Sequence, residues 1–381
     1  MPQTAHVIGA GVIGLATAFE LTERGVPGAR VTILDPDPAS GATHHAGGML
    51  APAAEVQYRQ EPLFPLMLES AARYPSFVDR LHSATPLPTG HRTDGTLVVA
   101  GDRADAGHLE DLTRYQHTHG MAVERITVRE ARRMEPSLSP AIAGAVHIPG
   151  DHQVSPRLLV AALRDALTRR GVRFVADEVT NLVRDGAGAV TEVVGERTRH
   201  DATGAQVILA NGLGAGRVGG WFDETNPLRL RPVYGDILRL GVPAALDPLV
   251  SKVIRGFVED RPVYLIPRDD GTLTLGATSR EDIQPKPRLG GVYDLIRDAV
   301  ALAPGVEETT LLETTVGARP GTPDDLPYLG AVAENLVVST GYFRHGILLA
   351  ALGAEAGARL ALGESPDVDL RACAPVRHSH L

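Results

Sequence analysis

His6-Val7-Ile8-Gly9-Ala10-Gly11-Val12-Ile13-Gly14-Leu15 is the stretch on which the reading of this chain turns. His6 to Ile8 reads as a short buried strand and Gly9 to Gly14 as a glycine-rich turn. Leu15 to Arg24 reads as a helix, with Leu15, Ala18, Phe19 and Leu21 at core spacing. Val31 to Leu34 forms a second strand that ends at Asp35, which completes a βαβ opening. Each glycine has a physical task in a dinucleotide fingerprint. Gly9 permits the tight turn, Gly11 lets a pyrophosphate approach the backbone, and Gly14 lets helix and strand pack closely. The free amides at the helix start then face the phosphates, and Val12 and Ile13 in the turn count among the cofactor-binding residues. Asp35 lies 35 − 14 = 21 residues beyond Gly14, where a carboxylate meets the adenosine ribose. A bare glycine turn with no ligand is the competing interpretation. Strand, helix and acid all in place favour a bound dinucleotide.

Two later stretches favour FAD over a nicotinamide cofactor. Ser40 to Pro52, which includes Gly47, Gly48 and Met49, is a small-residue loop able to lie along a long cofactor. Ala210-Asn211-Gly212 follows a later apolar strand, Val207 to Ala210, where a flavoprotein chain returns to close its FAD domain.

Further along, Pro62 to Leu81 and Leu158 to Arg170 read as helices, and Val172 to Val175 as a strand. The pattern changes between about residues 228 and 278. Leu228 to Leu240 alternates, and Pro262 to Ile266 and Thr272 to Leu275 flank Asp269-Asp270-Gly271, a hairpin signal. A second domain built on antiparallel sheet is expected there. Val337 to Ser339 is a late strand, and Gly346 to Leu362 a late helix that docks back on the first domain. The expected division is 1–85, 148–218 and 318–365 for the cofactor domain and 86–147 and 219–317 for the other, with 366–381 a tail expected to be weakly ordered from Arg371 onward.

Bulk properties exclude several classes. The 381 residues are 43% hydrophobic, enough for a large core and two domains. A net charge of −9 argues against nucleic acid or an anionic membrane surface as partner. Cys373 is the single cysteine, so no intrachain disulfide or multi-cysteine metal site can form, which fits a reducing cytoplasm. Met1 to Thr4 carry no basic targeting segment, and no run of about 18 apolar residues suggests a membrane span. His44 and His45 adjoin in an extended loop, His117 and His119 face different sides of a helix, and His378 and His380 lie in the tail. No metal site is expected.

The stretches GGMLAPAAE (Gly47 to Glu55), RPVYGDILRL (Arg231 to Leu240), VYLIPRDDGTLTLGAT (Val263 to Thr278), GARPGTPDDLPYLG (Gly317 to Gly330) and GYFRHGILLA (Gly341 to Ala350) occur in this order. Together they resemble the D-amino-acid oxidase superfamily, and within it the glycine oxidases of thiamine biosynthesis, from His6 to about Gly363. The resemblance implies an α/β fold: a Rossmann-type FAD domain plus an α+β substrate domain with a large antiparallel sheet. It implies removal of a hydride from the α-carbon of a small amino acid, FAD as acceptor, dioxygen as reoxidant and a homo-oligomer. The FAD is expected to be noncovalent, because Gly317 stands near the place where some similar sarcosine oxidases tether it through a cysteine and Cys373 is remote. By the same resemblance Arg319 pairs with the substrate carboxylate, Tyr264 adds a hydroxyl to it, and Arg344 stands beside flavin and substrate. The turn around Gly341, His345, Gly346 and Ile347 approaches the flavin, and Val179 contacts the adenine. Asn211, Tyr234, Asp236, Ser279 and His345 depart from the family pattern. Glu55 is weighed equally as a pocket residue and a solvated carboxylate. A dehydrogenase serving a quinone or protein acceptor, and a non-catalytic FAD-binding subunit, are the competing functions.

Overall fold

In a computed structural model, which describes residues 4–223 and 225–379, the βαβ opening forms as expected. The strands Thr4–Ile8 and Val31–Leu34 pair in parallel, and the helix Val12–Glu23 joins them. The helix starts three residues earlier than its apolar spacing suggested, with Gly11 at its N-cap. Gly14 therefore lies within the first helical turn. A Cβ there would come 2.0 Å from the Gly9 carbonyl oxygen, so the close approach of turn and helix requires glycine. Val12 to Leu21 are all buried, because other helices pack on both flanks: Pro156–Arg169 on one and Ala350–Ala361 on the other.

This unit sits in a six-stranded sheet ordered Tyr328–Ala333, Leu336–Thr340, Ala205–Leu209, Thr4–Ile8, Val31–Leu34 and Arg173–Val175. All neighbours are parallel except the edge strand Tyr328–Ala333. Its strands read as continuous apolar runs because both faces are covered.

The pattern change near residue 228 marks a second sheet of eight strands. Its order is Thr310–Gly321, Arg231–Gly241, Thr272–Gly276, Arg261–Pro267, Val253–Val258, Thr96–Ala100, Gly144–Ile148 and Glu124–Ile126. It is antiparallel except where Val253–Val258 meets Thr96–Ala100. The hairpin read from Asp269-Asp270-Gly271 joins two of its strands. Thr310–Gly321 runs beyond residue 317, so Arg319 belongs to this sheet. The helix Leu289–Leu302 packs against it. The longest helix is Phe64–Ala84, close to the expected span. The late helix proper begins at Ala350, after a 3-10 turn at Phe343–His345, rather than at Gly346.

The described residues of the tail, up to Ser379, pack on the fold, contrary to the expectation of weak order from Arg371 onward. Cys373 is buried, and Arg377 donates to both carboxylate oxygens of Asp324 at 2.8 Å while lying 4.1 Å over the Tyr328 ring. The Tyr328 hydroxyl also meets His378 Nδ1 at 2.7 Å. An ion pair and a ring contact join the apolar packing of Val368, Leu370 and Cys373 against the core. Met1 to Gln3 and His380 lie outside the described residues. No helix among the described residues is long and apolar enough to cross a membrane.

Candidate functional site

One cavity of about 660 Å³ runs from the glycine turn of the first sheet to the inner face of the second, in the upper part of the range for ligand sites. At its near end Gly9, Gly11, Val12, Ile13 and Asp35 line the wall. Gly9 has φ +105°, and a Cβ there would lie 2.6 Å from the Ala210 carbonyl oxygen, so backbone geometry alone requires glycine. Gly11 differs. Its φ is −72°, and an added Cβ would meet only Thr43 Oγ1, at 3.4 Å. Nothing in the protein forbids a side chain at Gly11, so the open space over it is a cradle for a ligand that needs bare backbone. Asp35 is pinned at the cavity wall: its carboxylate accepts from the Ala10 amide at 2.6 Å and the Asp37 amide at 2.9 Å. Gly14 does not line the cavity and serves packing only. Thr43, absent from the sequence reading as a site residue, accepts from the Val12 amide at 3.1 Å and ties the small-residue loop to the helix start.

That loop forms the middle of the cavity through Ala46, Gly47, Gly48 and Met49. Gly48 has φ +91°, and a Cβ there would lie 2.1 Å from the Val154 carbonyl oxygen. Three arginines clamp the loop from behind. Arg268 donates to Gln153 Oε1 at 3.0 Å, to the Val154 carbonyl at 2.9 Å and to the Gly47 carbonyl. Arg157 and Arg239 each donate to the His44 carbonyl at 3.3 Å and share Glu313. The His44 and His45 rings meet edge to face at 5.1 Å. Among the described residues no three His, Cys, Asp or Glu side chains group to hold a metal ion. Val179, Ala210 and Gly212 line the opposite wall with Asn211.

The far end brings together side chains remote in sequence. Tyr264 enters from the strand Arg261–Pro267, Arg319 from Thr310–Gly321 and Arg344 from the turn Phe343–His345. The Tyr264 ring fits because two neighbours are glycines. Cβ atoms on Gly47 and Gly276 would lie 2.9 and 2.6 Å from its hydroxyl. Arg319 fits because residue 235 is glycine, where a Cβ would lie 2.4 Å from both terminal guanidinium nitrogens. Its guanidinium donates to the Thr278 carbonyl at 3.3 Å. Burial pulls the pKa of Arg319 and of Arg344 below the ordinary arginine value and pushes that of Tyr264 up.

Two residues complete this end. Glu55 is buried, not solvated, and lies between Arg255 and Arg344, paired closely with the first and at 3.5 Å from the second. Arg255 escaped the sequence reading, although a lone charge in Val253-Ile254-Arg255-Gly256-Phe257 is a signal of a buried, paired site. Burial, and then the neighbouring Arg344, pull its pKa down to about 9, still cationic at neutral pH. Gly341, Gly346 and Ile347 line the cavity, but His345 does not. Its ring is buried away from the cavity, Nε2 has no partner, and burial drops its pKa to about 3, so it is a neutral packing group. Asp236, fully buried, is bound by Thr278 Oγ1 at 2.6 Å and by Arg280 at 3.2 Å. Tyr234 and Ser279 line the wall beside it.

A glycine-turn cradle on a mostly parallel sheet, opening onto arginines from a second sheet and a turn, points to an FAD-dependent oxidoreductase, and the comparisons agree. The chain matches the FAD dependent oxidoreductase family over residues 5–360 and belongs to it. It is 34% identical to glycine oxidase of Geobacillus kaustophilus, covering 91% of this chain and 89% of that one. The crystal structure of glycine oxidase from that organism superposes with a TM-score of 0.87 at 31% identity, covering 99% of both chains. A bifunctional protein ThiO/ThiG of Synechocystis sp. is 34% identical over 97% of this chain, which spans 53% of that longer protein. Iminodiacetate oxidase from Chelativorans sp. has a TM-score of 0.83 at 25% identity, covering 97% of this chain and 98% of that one.

Proposed function

We propose that this protein oxidises a small amino acid, such as glycine, sarcosine or a small D-amino acid, to its imine, with dioxygen as final acceptor. The observation that carries the reading is the convergence of Tyr264, Arg319 and Arg344, from three separate elements, at the far end of the cavity that begins at Gly9 to Gly14. The cradle over Gly11, the pinned Asp35 and the clamped loop at Gly47 and Gly48 fit FAD along its length. Bound there, FAD supplies the two-electron acceptor for a hydride and passes the electrons to dioxygen as hydrogen peroxide. The chain's own residues bind and orient the substrate. Arg319 presents a planar fork suited to a carboxylate, and Tyr264 adds one hydroxyl donor. Glu55, the carboxylate among these groups, is held by Arg255 and Arg344. An amino acid that enters with a neutral amine needs alignment rather than a proton-abstracting base. The division into a cofactor domain on the six-stranded sheet and a substrate domain on the eight-stranded one follows from this reading. A cytoplasmic setting fits the single cysteine. Assembly with copies of itself fits the exposed Leu289, Tyr293 and Ile296, which share one face of a helix.

Aerobic incubation with glycine, sarcosine and D-alanine tests the reading. Hydrogen peroxide and the 2-oxo acid should appear in equal amounts for at least one of them. Oxo acid formed only when a quinone is added supports the dehydrogenase, and no product from any amine supports a non-catalytic subunit.

A further inference from the structure

The charges at the far end of the cavity do not balance for a substrate with one carboxylate. Arg255, Arg319 and Arg344 line it against a single acid, Glu55. Glu55 is drawn tightly to Arg255 and reaches Arg344 only at 3.5 Å. Two other carboxylates lie nearby and are committed elsewhere: Asp236 to Arg280 and Thr278, and Asp325, whose charge also reaches Arg344, to Arg231 at 3.0 Å and to Gln60 at 2.9 Å. Three cations against one anion leave two positive charges in a site walled by protein. Arg319 keeps most of its donors, since one goes to the Thr278 carbonyl at 3.3 Å. Arg344 keeps most of its own. Arg319 and Arg344 are half-buried in the cavity wall, and cations that a ligand cuts off from water are costly unless that ligand neutralises them. One substrate carboxylate neutralises Arg319 and leaves Arg344 in excess.

We infer that the preferred substrate is an amino acid carrying a second carboxylate, with Arg319 taking the α-carboxylate and Arg344 the other. The inference rests on the amino-acid oxidase reading and narrows its substrate class. The chemistry is unchanged: the amine loses two electrons and two protons to become the imine, and dioxygen gains both as hydrogen peroxide. Water then splits the imine into an oxo acid and an amine or ammonia. Arg344 is a specificity-determining residue in this account.

Matched pairs that differ by one carboxylate test it in the FAD-loaded protein. Iminodiacetate against sarcosine and D-aspartate against D-alanine give kcat/KM ratios. At least one dicarboxylic partner should exceed its mate by about tenfold or more, the effect of one close charge pair of roughly 1.4 kcal/mol. Binding isolates the charge from turnover. Diglycolate should perturb the oxidised flavin spectrum at about a tenth of the concentration that methoxyacetate needs. In Arg344→Met that advantage should collapse toward one, while methoxyacetate still binds through Arg319. Should the variant fail to hold FAD, the substrate ratios of the parent decide alone. The inference is overturned if sarcosine or D-alanine reduces the flavin yet neither dicarboxylic partner is preferred. If no amino acid with one or two carboxylates reduces the flavin, the oxidase reading itself falls and the inference with it.

Discussion

Arg319 and Tyr264 stand 55 residues apart in sequence and meet at one end of the cavity. Losing a charge-assisted partner while the other charge stays buried costs about 2–5 kcal/mol. Arg319→Ala should therefore weaken binding of a carboxylate inhibitor by about a hundredfold or more, followed through the flavin absorbance. Tyr264→Phe removes one neutral donor to a charged group, roughly 1.5–3 kcal/mol, and should do less. Arg319→Lys should recover part of the loss, because a point charge cannot reproduce the fork. Parent-like binding by Arg319→Ala would make Arg319 structural and move the α-carboxylate to Arg344. The resemblance made Tyr264, Arg319 and Arg344 legible because each sits in a distinctive local pattern. Arg255 and the burial of Glu55 were not legible. Their pairing joins a turn residue to a strand residue 200 positions away, and no local pattern encodes such a contact. His345 was misplaced for a related reason: sequence puts it beside Gly346, but the turn aims neighbouring side chains in opposite directions.

The glycine turn and the loop before Glu55 carry the predictions that belong to single elements. At Gly11 the protein itself leaves room for a Cβ, so Gly11→Val should fold, stay soluble and purify largely without flavin. Full FAD content in that variant would refute the cradle. Asp151 is buried and accepts from the Ala53 and Ala54 amides at 3.2 and 2.8 Å, which shapes the chain leading into Glu55. Burial raises its pKa from the ordinary 3.8 to about 7. The folded protein then holds this proton more tightly than the unfolded chain. The stability so conferred is full below about pH 4 and is lost as pH rises through about 7, with a slope of at most about 1.4 kcal/mol per pH unit. Asp151→Asn should flatten that dependence in denaturant unfolding between pH 4 and 7. An unchanged slope would mean that Asp151 is ionised in the fold. Strand and helix identities were readable here because hydrophobic period is local. The helix start at Val12 was not, because Gly14 mimics a turn residue while acting as a packing residue inside the helix.

Across the whole molecule, the motifs foretold a sheet at the βαβ opening and a second, antiparallel sheet, since each motif carries its own local pattern. The tail was misread because what holds it is long-range: Arg377 meets Asp324, 53 residues away, and Val368, Leu370 and Cys373 pack on a core built elsewhere in the chain. Cys373 lies buried in that tail and does not line the cavity, so no cysteine can tether the cofactor. Acid precipitation should release all the yellow colour to the supernatant, and colour retained in the pellet would show a covalent bond to another residue. The central claim is that one cavity holds FAD at one end and aligns an amino acid at the other. Its most direct test is anaerobic mixing of the yellow protein with the panel of mono- and dicarboxylic amino acids, followed by air. The account predicts that the flavin bleaches with at least one of them and that its colour returns with dioxygen, with hydrogen peroxide formed. A flavin that no amino acid bleaches, or one that stays bleached in air, would contradict it.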